Sequence, residues 1–308
     1  MIAGDMSRRR FLLIGSASVG LAVLSSGTLV GLSDASAAQQ APAAGTLERL
    51  RKQGFVRVGF ANETPFSYAT TAGTLTGESI VVAQACLKSL GLSNLEGVLT
   101  PFESLIPGLL ASRFDMIAAG MYIEPARCAQ ILFSDPDYRI GEAMLVAAGN
   151  PYHLHSYADV AKQPKVRLGV VSGGEEIAYA QAAGVKSSQM VVFPDTPSVL
   201  VGLEDHRVDA FTLSSLSINY LLKKADTTTI ALATPFTQPT VDGKSVAGCG
   251  AFGFRKNEAD FRDAFNVQLD ELRNKHGLLP LLSPFGFTQD DMPTVADTAA
   301  NLCAGKAP

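Results

Sequence analysis

Tyr122 and Arg127 lie close together in the segment GMYIEPARCAQILFSDPDY, which runs from Gly120 to Tyr138. An arginine guanidinium can hold a carboxylate through two parallel hydrogen bonds. The face of an aromatic ring attracts a cation by about 0.5–2 kcal/mol, and most strongly when both are removed from water. The pair therefore predicts a site for a small molecule that carries both a carboxylate and a positive charge.

Two more aromatic residues occupy equivalent places in the sequence. Phe66 follows the predicted strand FVRVGFA, Phe102 follows the strand LEGVLT, and Tyr122 follows the strand FDMIAAGM. Because the carboxyl ends of parallel strands meet at one edge of a sheet, we expect the three rings to line one rim. Glu63, in the same loop as Phe66, would add a negative charge for the cation. The alternative is an exposed loop with one packed ring, and a Phe102 that only packs the start of the next helix.

A second anion-binding element is predicted in VVSGGEEIAYA. A Gly-Gly turn before a helix points backbone N–H groups outward, at the positive end of the helix dipole. Ser172, Gly174 and Glu175 are accordingly predicted to contact the ligand, although the same pattern also fits a plain strand-to-helix turn. Together with Arg127, this turn would take the carboxylate, and the implied ligand is a compact zwitterion.

The elements around these residues predict an α/β protein. Strand-like and helix-like segments alternate from residue 55 to residue 121, as expected for a parallel sheet covered by helices. A break follows at Gly149-Asn150-Pro151, and the alternation begins again at VRLGVV. Two α/β units joined by short crossings predict two lobes with a ligand cleft between them.

The composition excludes several classes of function. The 308 residues are 47% hydrophobic and 18% charged, as in an ordinary globular protein. The formal net charge of -4 gives no support for a nucleic-acid partner. The sequence contains no HExxH, GxSxG or P-loop motif, and its four histidines are scattered. We therefore expect no catalytic residues, no metal site and no cofactor.

The N-terminus has the features of an export signal. A basic start with the Arg8-Arg9 pair precedes a mildly apolar stretch, and the small residues Ala35-Ser36-Ala37 follow it. The pair predicts the twin-arginine route, cleavage after residue 37 and a periplasmic location. The alternative is a membrane anchor, which the many Gly and Ser residues in the stretch disfavour. Met6 is a second candidate for the first residue.

Four cysteines fall in the predicted mature chain. In an oxidising compartment they can form disulfides, but the sequence does not determine which of them pair. Cys86 lies in an apolar helical pattern and is predicted to be a buried thiol. The preferred bridge is Cys249 with Cys303, which would hold the C-terminal tail.

Several segments resemble the periplasmic solute-binding proteins of polar amino-acid ABC transporters. The resemblance covers nearly all of 45–290, and it is carried by LIPGLLASRFDMIAAGMYIEPAR, FSDPDY, VRLGVVSGGEE, VDAFTLS and GFRKNEADFRDAFNVQLDEL. It implies a two-lobed periplasmic-binding-protein fold of type II with a two-stranded hinge. The first lobe would comprise 45–147 and 250–308, and the second 151–245. The hinge crossings would lie near 147–150 and 247–250.

The departures from this family are informative about the ligand. The arginine that takes the ligand carboxylate is retained as Arg127, whereas Tyr122 stands where amino-acid binders have Ser or Thr. Ser214 stands where they tend to have the Asp that pairs with the α-ammonium. The set Glu63, Phe66, Phe102, Tyr122 and Arg127 resembles the ectoine and hydroxyectoine receptors of this family.

The resemblance implies capture without chemistry and delivery to an ABC permease in the inner membrane. We expect a monomer that closes around ectoine or hydroxyectoine. The alternatives are a polar amino acid or a betaine-like solute as ligand. A less favoured alternative is an exported cyclohexadienyl dehydratase on the same fold, with Glu63 or Glu175 as the acid. The sequence offers no second catalytic group for that reaction.

Overall fold

A computed structural model describes residues 45–241, 244–245 and 247–306. The predicted export signal, residues 1–37, lies outside these ranges. Among the residues described, no helix has the length and apolar character needed to span a membrane.

The chain alternates between helices and strands as the sequence predicts. The helices are α1 (Thr46–Gln53), α2 (Glu78–Ser89), α3 (Leu105–Leu110), α4 (Pro125–Cys128), α5 (Tyr157–Ala161), α6 (Glu176–Ala182), α7 (Thr196–Glu204), α8 (Ser215–Leu222), α9 (Ala259–Asn274), α10 (Leu278–Leu282) and α11 (Ala299–Cys303). Short 3-10 helices cover Phe102–Ser104, Ser187–Gln189, Ser283–Phe285 and Gln289–Asp291.

The strands form two main sheets and two small hairpins. They are β1 (Val56–Phe60), β2 (Tyr68–Ala69), β3 (Leu75–Thr76), β4 (Leu95–Leu99), β5 (Met116–Tyr122), β6 (Leu132–Phe133), β7 (Tyr138–Ile140), β8 (Glu142–Ala147), β9 (Leu168–Val171), β10 (Met190–Phe193), β11 (Ala210–Ser214), β12 (Ile230–Leu232), β13 (Thr240–Val241), β14 (Lys244–Ser245) and β15 (Gly248–Phe254). The hairpins are β2–β3 and β13–β14.

The first sheet has the strand order β4-β1-β5-β15-β6, and β7 also pairs with β15. Strands β4, β1 and β5 are parallel, whereas β15 runs antiparallel to its neighbours. Helices α1, α2, α9 and α10 contribute to the apolar core on one face, and α3 and α11 to the core on the other. We call this sheet with its helices the first lobe.

The second sheet has the order β10-β9-β11-β8-β12. Strand β11 is buried along its whole length and β9 likewise, as expected for central strands covered on both faces. Along β8, Ala143 and Leu145 face the core with α7 and α8, while Met144 and Val146 face the core with α5 and α6. We call this sheet with its helices the second lobe.

The strand pairing corrects the boundaries that the sequence predicted. Because β8 pairs with β11 and β12, residues 142–147 belong to the second sheet, so the boundary at residue 147 is wrong. The first crossing lies at Gly141, between β7 and β8, and not near 147–150. The chain returns to the first sheet between β12 and β15. Gln238, in that returning segment, exchanges hydrogen bonds with the backbone of Glu142, at 2.7 and 2.9 Å.

The disulfide also differs from the expected one. Cys128 bonds to Cys303, with 5.6 Å between their Cα atoms, and the predicted Cys249–Cys303 pair is wrong. Cys249 lies inside β15, where its thiol is buried and free. Cys128 ends the short helix α4, which α11 contacts directly. The bridge therefore does hold the C-terminal tail, but it attaches the tail beside Arg127. Cys86 is a buried free thiol, as predicted.

A pair of buried acids lies in the core of the first lobe. Glu78 begins α2, and Asp137 precedes β7; both are almost completely buried. Burial raises the pKa of Asp137 to about 6. Burial, reinforced by the charge of Asp137, raises the pKa of Glu78 well above its ordinary value. The folded protein therefore holds a proton here that the unfolded chain would release.

The disulfide assignment predicts the outcome of a thiol count. Cys128→Ser should leave every remaining cysteine free and lower the free energy of unfolding by about 2–4 kcal/mol, because the bridge closes a long loop. Cys249→Ala is the matched control and should keep the bridge, with Cys86 as its one free thiol. Titration of thiols in denaturant distinguishes the two, and a bridge lost in the Cys249→Ala variant would contradict the assignment.

The buried acid pair predicts a stability that falls with rising pH. The folded pKa values are raised, so the stabilisation is complete below the unfolded values, near 4, and is lost as the pH rises through and beyond about 6. Glu78→Gln removes the ionisation and should reduce the loss of unfolding free energy between about pH 5 and about pH 8, measured by urea denaturation. The exposed Glu204→Gln serves as control. Equal losses in wild type and Glu78→Gln would disprove the role of the pair.

Candidate functional site

A cavity lies between the two lobes, at the carboxyl ends of the central strands. The atom-free space along it amounts to about 390 Å³, which includes space open to solvent. The residues that line it follow or end the strands β1, β4 and β5 of the first lobe and β9 and β11 of the second. They are Glu63, Phe66, Phe102, Gly120, Tyr122, Arg127, Val171, Gly174, Glu175, Glu176, Leu213 and Ser214. This edge of an α/β sheet is where ligands usually bind.

The structure brings together all but one of the residues that the sequence predicted for the site. Ser172 is the exception, because it does not line the cavity. Its hydroxyl instead donates a hydrogen bond to the carboxylate of Glu103, which lies in the first lobe. Ser172 therefore contributes to the contact between the lobes.

Arg127 connects the two lobes. The residue is only 9% exposed. Its Nη1 donates to the carbonyl of Tyr122 at 2.9 Å and lies 3.0 Å from Glu124 Oε1, while its Nη2 donates to the carbonyl of Gly173 at 3.0 Å. Pro125 begins α4, and the first turn of this helix places the guanidinium over the cavity. The guanidinium has further N–H groups that these contacts do not use.

The three predicted aromatic residues line the cavity in different environments. Phe66 stacks on Tyr138, with 5.2 Å between ring centroids, and is therefore also part of the first lobe's core. Phe102 faces Arg127, whose Cζ lies 5.6 Å from the ring centroid. Tyr122 packs against Gly248, where any Cβ would overlap its ring. The nearest cation to Phe102 is thus the protein's own arginine, which leaves Phe66 and Tyr122 as the rings nearest a ligand cation.

Glu63 and Ser214 differ in what they offer a ligand. Ser217 Oγ lies 2.7 Å from Glu63 Oε1 and 3.1 Å from the carbonyl of Thr64, so its single proton links the lobes at this point. Burial raises the pKa of Glu63 to about 7, with the Ser217 hydrogen bond opposing the rise. The Ser214 side chain accepts from the Ser217 N–H and caps α8.

Three acidic residues near the cavity were missed by the sequence analysis. Glu142 begins β8 and is 2% exposed, and Glu176 begins α6 and is 5% exposed. Within the described ranges, Oε2 of each has no hydrogen-bond partner. Glu124, the third, precedes α4 and contacts Arg127. Glu142 could have been identified from the sequence, because it is an acidic residue at the start of an otherwise apolar strand. Glu176 was overlooked because the adjacent Glu175 was chosen as the ligand contact.

Loss of water dominates the electrostatics of these acids. Burial raises the pKa of Glu176 to about 8 and that of Glu124 to about 9, although Arg127 acts in the opposite direction on both. Burial and the nearby Glu176 raise the pKa of Glu142 well above its ordinary value. Carboxyl groups thus outnumber the single arginine, so the site favours a ligand that brings positive charge. The described residues contain no cluster that could hold a metal ion.

Comparison with known proteins places this chain in a family. Residues 56–285 match the bacterial extracellular solute-binding proteins, family 3. A probable amino-acid ABC transporter periplasmic-binding protein of Sinorhizobium fredii is 38% identical over 262 residues, which cover 84% of this chain and 86% of the relative. The cyclohexadienyl dehydratase of Pseudomonas aeruginosa is 30% identical over 164 residues, or 53% of this chain and 60% of the enzyme.

Among solved structures, EhuB in complex with hydroxyectoine is similar to this chain. The two are 35% identical, with a TM-score of 0.77, and the match covers 85% of this chain and 98% of EhuB. The extent of the family match and the identity to the Sinorhizobium relative agree with the architecture of two α/β lobes around a cavity. The chain belongs to family 3 of the bacterial extracellular solute-binding proteins and has the two-lobed type II periplasmic-binding-protein fold.

Proposed function

We propose that this protein captures ectoine or hydroxyectoine in the periplasm and delivers it to the permease of an ABC importer. The observation that carries the proposal is the composition of the interlobe cavity, which Arg127, Glu63 and aromatic rings line together. Ectoine is a cyclic amidinium carboxylate, so it offers a carboxylate and a delocalised cation close together. The similarity to EhuB, whose structure contains hydroxyectoine, supports the same ligand class.

Arg127 is the group suited to the ligand's carboxylate. Among the described residues it is the only cation that lines the cavity, it is nearly buried, and contacts on both sides hold its guanidinium in place. A fixed guanidinium in a water-poor site forms charge-assisted hydrogen bonds without losing much side-chain entropy. Gly174, at the turn before α6, lies directly against the carboxyl group of Glu176, which a Cβ at this position would overlap.

Glu63 and the rings of Phe66 and Tyr122 are suited to the ligand's cation. A ring face and a carboxylate can act on the same delocalised charge, and both gain strength as water is excluded. Ser214 caps a helix and supplies no charge for an α-ammonium group. A polar amino acid is the second candidate, because Glu176 offers a carboxylate on the second lobe that an α-ammonium could use.

Closure of the lobes explains capture and release. The contacts that join the lobes across the cavity include Arg127 with Gly173, Ser217 with Glu63, and Ser172 with Glu103. A ligand that touches both lobes adds to these contacts only in the closed form and therefore shifts the population toward it. We place this process in the periplasm, in keeping with the family and with the predicted export signal. We also propose that the protein acts as a monomer.

Capture needs no chemical step, which distinguishes this proposal from a dehydratase. A dehydratase would need an acid that protonates a leaving hydroxyl, and Glu63, with a pKa of about 7, would be the candidate. The relative with that activity spans only part of this chain. Incubation with a hydroxycyclohexadienyl carboxylate, followed by ultraviolet absorbance, tests for an aromatic product. Its formation would replace the capture proposal.

The first prediction concerns ligand selectivity. Protein purified from the periplasm should bind ectoine or hydroxyectoine more tightly than arginine, glutamine or glycine betaine, each by at least about tenfold, in titration calorimetry. Its intact mass should correspond to a chain that begins at residue 38. Tighter binding of glutamine or arginine would retain the importer role but reject the ectoine class.

The second prediction isolates the carboxylate contact of Arg127. Wild type should bind ectoine at least about tenfold more tightly than its carboxamide, which keeps the amidinium but replaces the carboxylate with a neutral amide, because only the carboxylate gains a charge-assisted pair of hydrogen bonds. Arg127→Ala should weaken ectoine binding and abolish this preference.

Ser172→Ala is the matched control, because it removes an interlobe contact without removing the charge. It should weaken both ligands equally and keep the preference. A preference for the carboxylate that survives in Arg127→Ala would mean that the arginine acts only by joining the lobes.

A further inference from the structure

The carboxyl group of Glu176 has no role in the fold that its contacts explain. The residue lines the interlobe cavity and is 5% exposed, and its Oε2 has no partner in the part of the chain that the structure describes. A buried acceptor without a partner is unfavourable, and more so when it is charged. Such a group persists at low cost only if it keeps a proton or if a ligand supplies a donor.

Glu176 also faces a second carboxyl group across the cavity. Glu63 enters from the first lobe, and its negative charge contributes to the raised pKa of Glu176. Glu63 Oε1 accepts from Ser217, so the rest of this carboxylate is free for a ligand. Both acids line the same space as the ring of Tyr122. One carboxyl group from each lobe thus faces the place where a ligand cation would lie.

Glu142 lies behind this pair. Its Oε1 is 3.5 Å from the hydroxyl of Tyr122, at the outer limit of a hydrogen bond, and its Oε2 has no partner among the described residues. It does not line the cavity, but it is close enough to Glu176 for the charge of that residue to raise its pKa further. The other titratable or charged groups around the pair are Glu124, Arg127, Tyr157, Glu175 and Tyr179.

We propose that Glu63 and Glu176 hold the ligand's cation between them, so that the protein selects a cation with N–H donors on two sides and rejects a quaternary ammonium. An amidinium or a guanidinium carries such donors on separate nitrogens of one plane. A trimethylammonium group has none, and it would leave both carboxyl groups unpaired. This inference rests on the proposed function for the position of the cation, and it assigns Glu176 as a specificity residue.

If Glu176 contacts the ligand's cation, its protonation changes when the ligand binds. Glu176 without ligand is largely protonated at neutral pH, because burial raises its pKa to about 8. A ligand cation that donates to it favours the carboxylate, so the proton leaves for solvent when the ligand binds. Binding should therefore release protons at about pH 7 and tighten as the pH rises toward about 8. A purely structural role for Glu176 would not produce this release.

The test compares wild type with Glu176→Gln by titration calorimetry with ectoine and glycine betaine, in two buffers of different ionisation enthalpy. Wild type should bind ectoine with proton release and betaine at least about tenfold more weakly. Glu176→Gln should lose at least about tenfold in ectoine affinity, and its proton release should fall. Glu204→Gln, exposed on the second lobe, is the matched control and should behave as wild type.

Two outcomes would overturn the inference: unchanged proton release in Glu176→Gln, or betaine binding as tight as ectoine binding in wild type. Glu176→Asp keeps the charge and should restore part of the proton release, which guards against a variant that merely fails to fold. A failure of the proposed function would give a different set of results. If wild type ignores ectoine but binds arginine with a proton release that depends on Glu176, the ectoine assignment fails and the selection for N–H donors stands.

Discussion

The removal of water from carboxyl groups is the constraint on which this structure depends. Glu63, Glu142 and Glu176 lie around one interlobe cavity with a single arginine, and burial raises the pKa of each. A closed cavity with all of these groups ionised would be strongly unfavourable, since neither water nor enough positive charge is present to offset the repulsion. The lobes can therefore close either around protonated acids or around a cation. That choice couples the closure of the fold to the identity of the ligand.

The two sheets create this constraint by their geometry. Central strands of both lobes end at the same cavity, so each loop that follows a strand contributes a side chain to it. Arg127 is the point at which the lobes are most directly joined, because its guanidinium donates to a carbonyl of each. The disulfide of Cys128 attaches the C-terminal helix α11 one residue beyond this arginine. The hinge is likewise braced, since Gln238 of the returning segment holds the backbone of Glu142. The disulfide and the Gln238 hydrogen bonds thus support a site in which several carboxyl groups lie close enough to repel one another.

The sequence predicted most of the fold because the fold follows from local patterns. The apolar runs of β1, β5, β10 and β11 identify these strands, and the aromatic residues at or after the ends of β1, β4 and β5 identify the rim. The features that the sequence did not predict depend on contacts between residues that are distant in sequence. The partner of Cys303 is decided by the packing of α11 on α4, which no spacing encodes. The lobe boundary depends on whether β8 joins the first sheet or pairs with β11 in the second sheet. The residues of a strand do not by themselves determine which strand it pairs with. Glu142 and Glu176 were missed because acidic residues are usually exposed, and the burial of these two is set by tertiary packing.

The raised pKa values fit capture better than catalysis. A general acid must lose its proton to the substrate and regain it in each cycle, so it needs a path to water. Glu142 lies behind Tyr122 and does not line the cavity, so it cannot donate a proton to a substrate there. A binding protein needs only that its acids be neutral when the site is closed and empty, and charged when a cation fills it. Proton release then contributes to discrimination: a ligand without N–H donors cannot stabilise the carboxylates, and the closed cavity retains its protons instead. The same buried charges that would weaken an empty site thereby make it selective.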